Sequence, residues 1–271
     1  MKKCLTNLRS AMRQAVDRDR LVKDPTRGVK NPQQAHRNPN ALDAKGRAKV
    51  AQFIALDPDK PLNVGFALAM YMGLREGEIC GLTWKCVDLD EGTVSIERTI
   101  GRDGSKWYVK EPKTGGSRRE LYAPSIIADM LTARLANAKA ECLELGVPFD
   151  ENMYVTGGAD GSFMQPHYLS HRWRIAADAL ELIGTEGNRP TFHDLRHTFA
   201  TAAVTAGTDI KTVASMMGHA NAAMTLNIYA SADREAKKRG AAVVEQAYMA
   251  DVAQHAKDGA VIELNRTGTE D

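Results

Sequence analysis

Long hydrophobic runs are missing from this chain of 271 residues. No stretch approaches the roughly 18 to 20 consecutive apolar residues that a membrane span needs, and the basic start MKKCLTNLRS leads into no apolar signal-peptide core. A soluble, cytoplasmic protein with no membrane partner is expected. Cysteine is scarce: Cys4, Cys80, Cys86 and Cys142 form no CxxC pair and no His/Cys cluster at zinc spacing, so neither a disulfide framework nor a metal site is expected. Charge of one sign is also lacking, the net value being +2, which by itself points to no polyanionic partner.

What is present is an uneven distribution. Residues 1–50 hold 13 Lys/Arg against 4 Asp/Glu, residues 51–230 hold 17 against 22, and residues 231–271 hold 6 against 8. A basic N-terminal segment on a near-neutral globule suits a protein that grips phosphate backbone with one part and does chemistry with another. A solvated basic tail accounts for the same charge.

Residues 3–22 space Leu5, Leu8, Met12, Ala15, Val16 and Leu21 three and four apart, the pattern of an amphipathic helix. The stretch DPTRGVKNPQQAHRNPN, with three prolines and two Asn-Pro steps, reads as an extended linker ending near residue 40. Asp43 is a plausible N-cap for a helix through Val50, Phe53, Ile54 and Leu56, and Leu62 to Leu74 is a second, nearly all-apolar helix. Residues 93–100 and 106–110 alternate as strands around an Asp103-Gly104 turn, and residues 118–123 supply a third. Helical periodicity returns at 124–145, 166–184, 194–206, 209–217 and 222–250. The expected fold is mainly α with a small three-stranded antiparallel β insert (α+β).

Three segments carry candidate chemistry. In TFHDLRHTFA, His193 and Arg196 stand three apart on one side of a helix, and an imidazole beside a guanidinium can handle an anion and a proton together. Alone, HxxR is also what a capping His and a surface Arg look like. Upstream, Arg75 enters between two apolar faces, costly for a guanidinium unless it is paired or aimed at an anion. Glu78 can hold it, and a structural ion pair would read the same way. Downstream, Gly218 reads as a helix stop that leaves His219 just beyond it, and Tyr229 follows on a short helical stretch where a core aromatic would also fit.

Taken in order, GLREGEICGL (73–82), EPKTGGSRRELYAP (111–124), HDLRHTFAT (193–201) and MGHANAAMTLNIY (217–229) resemble the tyrosine recombinase, or phage integrase, family over about residues 40–235. On that resemblance Arg75 matches the first catalytic arginine and Glu78 the acidic residue that supports it. Lys113 matches the hairpin lysine, with Lys110 and Arg118 flanking it. His193 and Arg196 match the HxxR pair, His219 the second histidine and Tyr229 the nucleophile. The implied organisation is a terminal helix of a truncated or reduced core-binding domain at 1–25, a linker at 26–40, the catalytic domain at 41–235, and a C-terminal helix and tail at 236–271. Either a trimmed chain or a naturally short protein would look like this, and in the first case the domain alone should bind DNA weakly.

The resemblance implies a site-specific integrase that cleaves and rejoins DNA through a 3′-phosphotyrosyl link, for integration or excision of a phage or mobile element. Phosphoryl transfer asks mainly for positioning and for stabilised charge on the nonbridging oxygens, which Arg75 and Arg196 can provide with forked, permanent cations. His193 would be the general base, Lys113 the general acid, and His219 a phosphate ligand or an organiser of the Tyr229 helix. No cofactor is expected. The implied partners are double-stranded attachment sites, further copies of the chain (a monomer in solution, a homotetramer on synapsed DNA) and a directionality factor, with the protein at the nucleoid. The segment after Tyr229 reads as a helix packed on its own core or docked on a neighbouring protomer. A type IB topoisomerase-like relaxing enzyme shares this chemistry, and a noncatalytic DNA-binding factor derived from an integrase is the reading from another class.

Overall fold

In the computed structural model the described residues are 2–31, 39–110, 118–218, 244–246 and 248–254. The chain divides into two compact units, residues 1–38 and 39–271.

The first unit is built on α1 (Lys2–Asp17). Leu5, Met12, Ala15 and Val16 are half-buried on it, and Leu8 is exposed. The chain then reverses at Asp19, in the left-handed region at φ 55°. Arg9 donates to Asn31 Oδ1 at 2.8 Å and to the Val29 carbonyl, which holds the returning strand of chain against the helix.

The second unit runs α2 (Ala44–Leu56), α3 (Pro61–Met72), α4 (Glu76–Gly81), a 3-10 turn (Trp84–Cys86), β1 (Val87–Asp88), β2 (Thr93–Ile96), β3 (Thr99–Asp103), β4 (Lys106–Lys110), β5 (Arg119–Tyr122), α5 (Ser125–Glu144), α6 (Pro166–Ala179), α7 (Phe192–Thr205) and α8 (Ile210–Met217). Residues 244–246 and 248–254 are also helical. Asp43 caps α2 as expected, its side chain accepting the Gly46 N–H at 2.7 Å. Among the described residues no helix is long and apolar enough to cross a membrane.

The near-continuous apolar sequence of α3 has its reason in packing. Val64, Phe66, Ala67, Leu68, Ala69, Met70 and Met72 are buried, with α2, α4, α5, α6 and α7 all against this helix. Phe66 meets Trp173 of α6 edge-on at 5.3 Å and Phe192 of α7 at 6.2 Å between ring centroids. Burying one such ring stabilises by about 1.5–3 kcal/mol. α3 ends at Gly73, whose φ of 68° favours glycine and whose added Cβ would lie 2.5 Å from the Phe199 ring. The last turn of α3 can therefore press directly on α7, and the chain leaves Gly73 aimed at the start of α4. The entry to the unit is fixed to the same helix, since the Leu42 N–H donates to Thr198 Oγ1 of α7 at 2.9 Å.

The β insert is antiparallel, as expected, but its strands are divided differently. Residues 93–100 do not form one strand. β2 pairs with β1 and β5 in a three-stranded sheet with Val94 opposite Leu121, whereas β3 pairs with β4 in a separate hairpin with Ile100 opposite Val109. The break falls at Glu97-Arg98. Its physical cause is α4: Ile100 is buried, and β3 packs on α4 where Gly77 and Gly81 bring helix backbone close to Thr99, Ile100 and Arg98. α6 stops at Ala179, short of the expected 184, because Glu181 turns the chain through φ 50° toward α7.

Candidate active site

The first turn of α7 carries two of the expected residues. Asp194 Oδ2 accepts both the Thr191 N–H and the Thr191 hydroxyl at 2.7 Å, which fixes the helix start and with it the direction of His193. Arg196, one turn on, is 2% exposed. Its two terminal nitrogens donate to the carbonyls of Gly73, at the end of α3, and Met217, at the end of α8. Burial, then the nearby Arg75 charge, pull its pKa down to about 9. It is still a cation at neutral pH.

Arg75 precedes α4 and Glu78 lies on that helix's first turn. The Glu78 carboxylate accepts the Arg75 backbone N–H at 2.9 Å and the Arg75 side chain at 2.8 Å. It is buried, yet burial does not neutralise it: against the upward push of desolvation, the hydrogen bonds and charges of Arg119 and Arg75 hold its carboxyl below the ordinary value. Arg119, from β5, forks onto both Glu78 oxygens at 3.1 and 2.8 Å.

The same arginines converge on the end of α8. Arg119 Nε donates to Met216 O at 2.8 Å, Arg196 to Met217 O, and Arg75 to Gly218 O at 3.1 Å. Three successive carbonyls of a helix C-terminus, the negative end of its dipole, each take a guanidinium. Gly218 closes this turn at φ 61°, and a side chain there would lie 2.8 Å from Arg119 Nη1. The expected helix stop at Gly218 is therefore present. Arg75, Arg196 and His193 line a cleft of about 650 Å³, with Arg174 and Arg189 on its wall.

His193 faces the cleft with His197 edge-on to it, 4.8 Å between ring centroids. Both imidazoles titrate below their ordinary value. For His193 burial is the largest cause, followed by the charges of His197 and Arg196; for His197 it is burial, opposed by Asp194. Among the described residues His197 Nδ1 is buried without a hydrogen-bond partner. The unfolded chain binds these two protons more readily than the native state, so the stabilisation is complete above the ordinary value of 6.5 and is lost as pH falls through the depressed values. Melting curves between pH 7.5 and 5 should show a falling Tm well above the range where Glu78 protonates. A flat profile over that interval would contradict the placement of both rings.

Of the expected site residues, Arg75, Glu78, His193 and Arg196 are thus brought together. Lys113, His219 and Tyr229 lie outside the described residues. Lys110 ends β4 opposite Thr99, which lines the cleft. Two members of the cluster were not anticipated. Arg119 shares strand parity with the buried Leu121, so the two-residue alternation already placed it on the inward face. His197 stands four residues after His193, the spacing of neighbours on one helix face.

A mainly α frame with small antiparallel sheets brings Arg75, Arg196 and His193 to one cleft, with the Glu78 carboxylate fixing Arg75 from behind. The sequence profile of the phage integrase family matches residues 52–236, more than half of the chain. The chain belongs to the phage integrase family. It is 27% identical over 243 residues to a tyrosine recombinase XerC-like protein of Caldanaerobacter subterraneus subsp. tengcongensis, covering 84% of this chain and 61% of the relative. It is 31% identical over 172 residues to the transposase from transposon Tn916 of Enterococcus faecalis, covering 59% of this chain and 40% of that one. Among solved structures, the Tn1549 transposon integrase in complex with a circular intermediate DNA superposes with a TM-score of 0.66 at 21% identity, over 89% of this chain and 78% of that one. A lambda integrase tetramer bound to a Holliday junction superposes with a TM-score of 0.58 at 20% identity, over 83% of this chain and 58% of that one. These likenesses show the fold. The chain spans between 40 and 61% of the length of the curated relatives just named.

Proposed function

We propose that the protein is a site-specific DNA recombinase that breaks and rejoins double-stranded DNA through a covalent link to Tyr229. The observation that carries this reading is the pair Arg75 and Arg196, which line one cleft with His193 and are both fixed by partners that leave donors over. Each guanidinium has five N–H groups, and the bonds described above use two of Arg75's and two of Arg196's. The remainder can take the nonbridging oxygens of a phosphodiester, whose charge grows in the transition state.

In this mechanism the Tyr229 oxygen attacks phosphorus, the bond to the 5′-oxygen breaks, and a 3′-phosphotyrosyl ester forms. His193, neutral at pH 7, accepts the tyrosine proton, and Lys113 protonates the departing 5′-oxygen. The freed 5′-hydroxyl of a partner strand then attacks the ester and regenerates Tyr229, so the energy of the broken bond is kept in the ester. His219 binds the scissile phosphate or steadies the Tyr229 segment. The substrate is a pair of attachment sites brought together by further copies of the chain, a tetramer on DNA from a monomer in solution, acting in the cytoplasm at the nucleoid with a directionality factor. Residues 1–25 serve as a terminal core-binding helix, 26–40 as its linker, 41–235 as the catalytic domain and 236–271 as a C-terminal helix and tail.

The test is covalent capture. A duplex selected from a randomised pool by binding to the protein is nicked next to the cleavage position, so that the 5′-hydroxyl fragment diffuses away. A detergent-stable protein–DNA adduct should form, and form equally in excess EDTA, because guanidinium groups supply the positive charge. A strict requirement for magnesium in the cleavage step would count against the mechanism. Exchange between two such duplexes, without relaxation of plasmids that lack the site, separates a recombinase from a topoisomerase.

A further inference from the structure

Arg119 has no part in the chemistry just proposed, yet it ties β5 to both Glu78 of α4 and the end of α8. Its side chain is 8% exposed. Nη1 and Nη2 take the two oxygens of Glu78, and Nε takes Met216 O. Each Glu78 oxygen also serves Arg75: Oε1 accepts from the side chain and Oε2 from the backbone N–H. The carboxylate is thus clamped from the strand side by a planar fork, and from that fixed position it orients Arg75. The third donor of Arg119 fixes the end of α8 at the carbonyl immediately before those that accept Arg196 and Arg75.

A buried arginine–glutamate pair is a poor device for stability alone, since desolvating both ions costs as much as their attraction returns. The cluster is also unbalanced among the described residues: Arg75, Arg119 and Arg196 gather around the Glu78 carboxylate. A site with this excess of cation is one prepared for an incoming anion, and preorganised donors act only if they are already aimed when charge develops.

We infer that Arg119 is a positioning residue for phosphoryl transfer, setting Arg75 through Glu78 and seating the C-terminal turn of α8 before phosphate arrives. The inference rests on the recombinase reading above. Lysine at 119 keeps the charge and loses the fork.

The experiment measures single-turnover cleavage of the nicked duplex, at saturating protein and well below the melting temperature, for wild type, Arg119→Lys, Arg119→Ala, Arg75→Ala and Arg75→Ala with Arg119→Lys. DNA affinity is measured in parallel. Arg119→Lys should lower the cleavage rate about 10-fold or more, the scale of a small misplacement of a catalytic group, with affinity unchanged. In the Arg75→Ala background the same substitution should cost much less, because the group it positions is already gone. A merely structural Arg119 predicts otherwise: either cleavage at the wild-type rate, or the same loss in both backgrounds. Each of these results overturns the inference, and if Arg119→Ala does not fold, the lysine variant carries the comparison alone. A wild-type adduct together with a normal Arg119→Lys rate removes only this inference. Absence of any wild-type adduct removes the recombinase reading, and this inference with it.

Discussion

Phenylalanine in place of Tyr229 should eliminate the covalent protein–DNA adduct while leaving noncovalent binding to the same duplex nearly unchanged. The substitution deletes one oxygen and little packing surface, so the loss can be assigned to the nucleophile itself. An unperturbed phenol has a pKa of about 10 and is protonated at pH 7, so attack requires a base within reach. His193 suits that task because burial, then the neighbouring His197 and Arg196 charges, lower its pKa from the ordinary 6.5, which favours the neutral ring at pH 7. Cleavage by the wild-type chain should accordingly lose rate on the acid side, below the ordinary histidine value of 6.5. Gel separation after denaturation reads the adduct directly. A band that survives in Tyr229→Phe would move the nucleophile elsewhere, with the exposed Tyr122 and Tyr248 next to be replaced.

Most of the helical frame could be read in the sequence, because amphipathic spacing, the Asp43 cap and the Gly218 stop are local signals. α6 and the strands show where local signals end. Residues 93–100 carry one continuous β pattern, and only the approach of α4 at Gly77 and Gly81 splits it between two sheets. No window of sequence contains that contact. In the site, Arg75 with Glu78 and His193 with Arg196 were legible because each pair is three residues apart. Arg119 was not, since its partners Glu78 and Met216 lie 41 and 97 residues away. The motif segment that contains it drew attention to Lys113, and the inward parity of Arg119 with Leu121 was the available clue. His197 is not legible in the same way, because an imidazole next to Arg196 reads as ordinary helix and only the fold sets its ring against His193.

Arg196→Ala should cut the cleavage rate by about 10² to 10³-fold, the loss found when one preorganised transition-state donor is removed, equivalent to about 2.7–4 kcal/mol. Two further effects follow from its burial, and they have opposite signs. The carbonyls of Gly73 and Met217 lose their donors, at a cost of about 1–3 kcal/mol for each acceptor left dry. Against this, a cation whose pKa is pressed down to about 9 by burial and by Arg75 no longer has to be kept out of water. Stability should therefore change less than rate, and thermal melting of the variant separates the two. Arg196→Lys sharpens the comparison, because an ammonium restores the charge but cannot reach both carbonyls and a phosphate with one planar group. If charge alone were needed, lysine would recover most of the lost rate. If the fork is needed, as the bridge from Gly73 to Met217 requires, Arg196→Lys should stay within about tenfold of the alanine variant, since bidentate geometry and not net charge sets the stabilisation. Recovery to near the wild-type rate would show that Arg196 acts as a diffuse positive charge, and the proposed contact with the nonbridging oxygens would have to be abandoned.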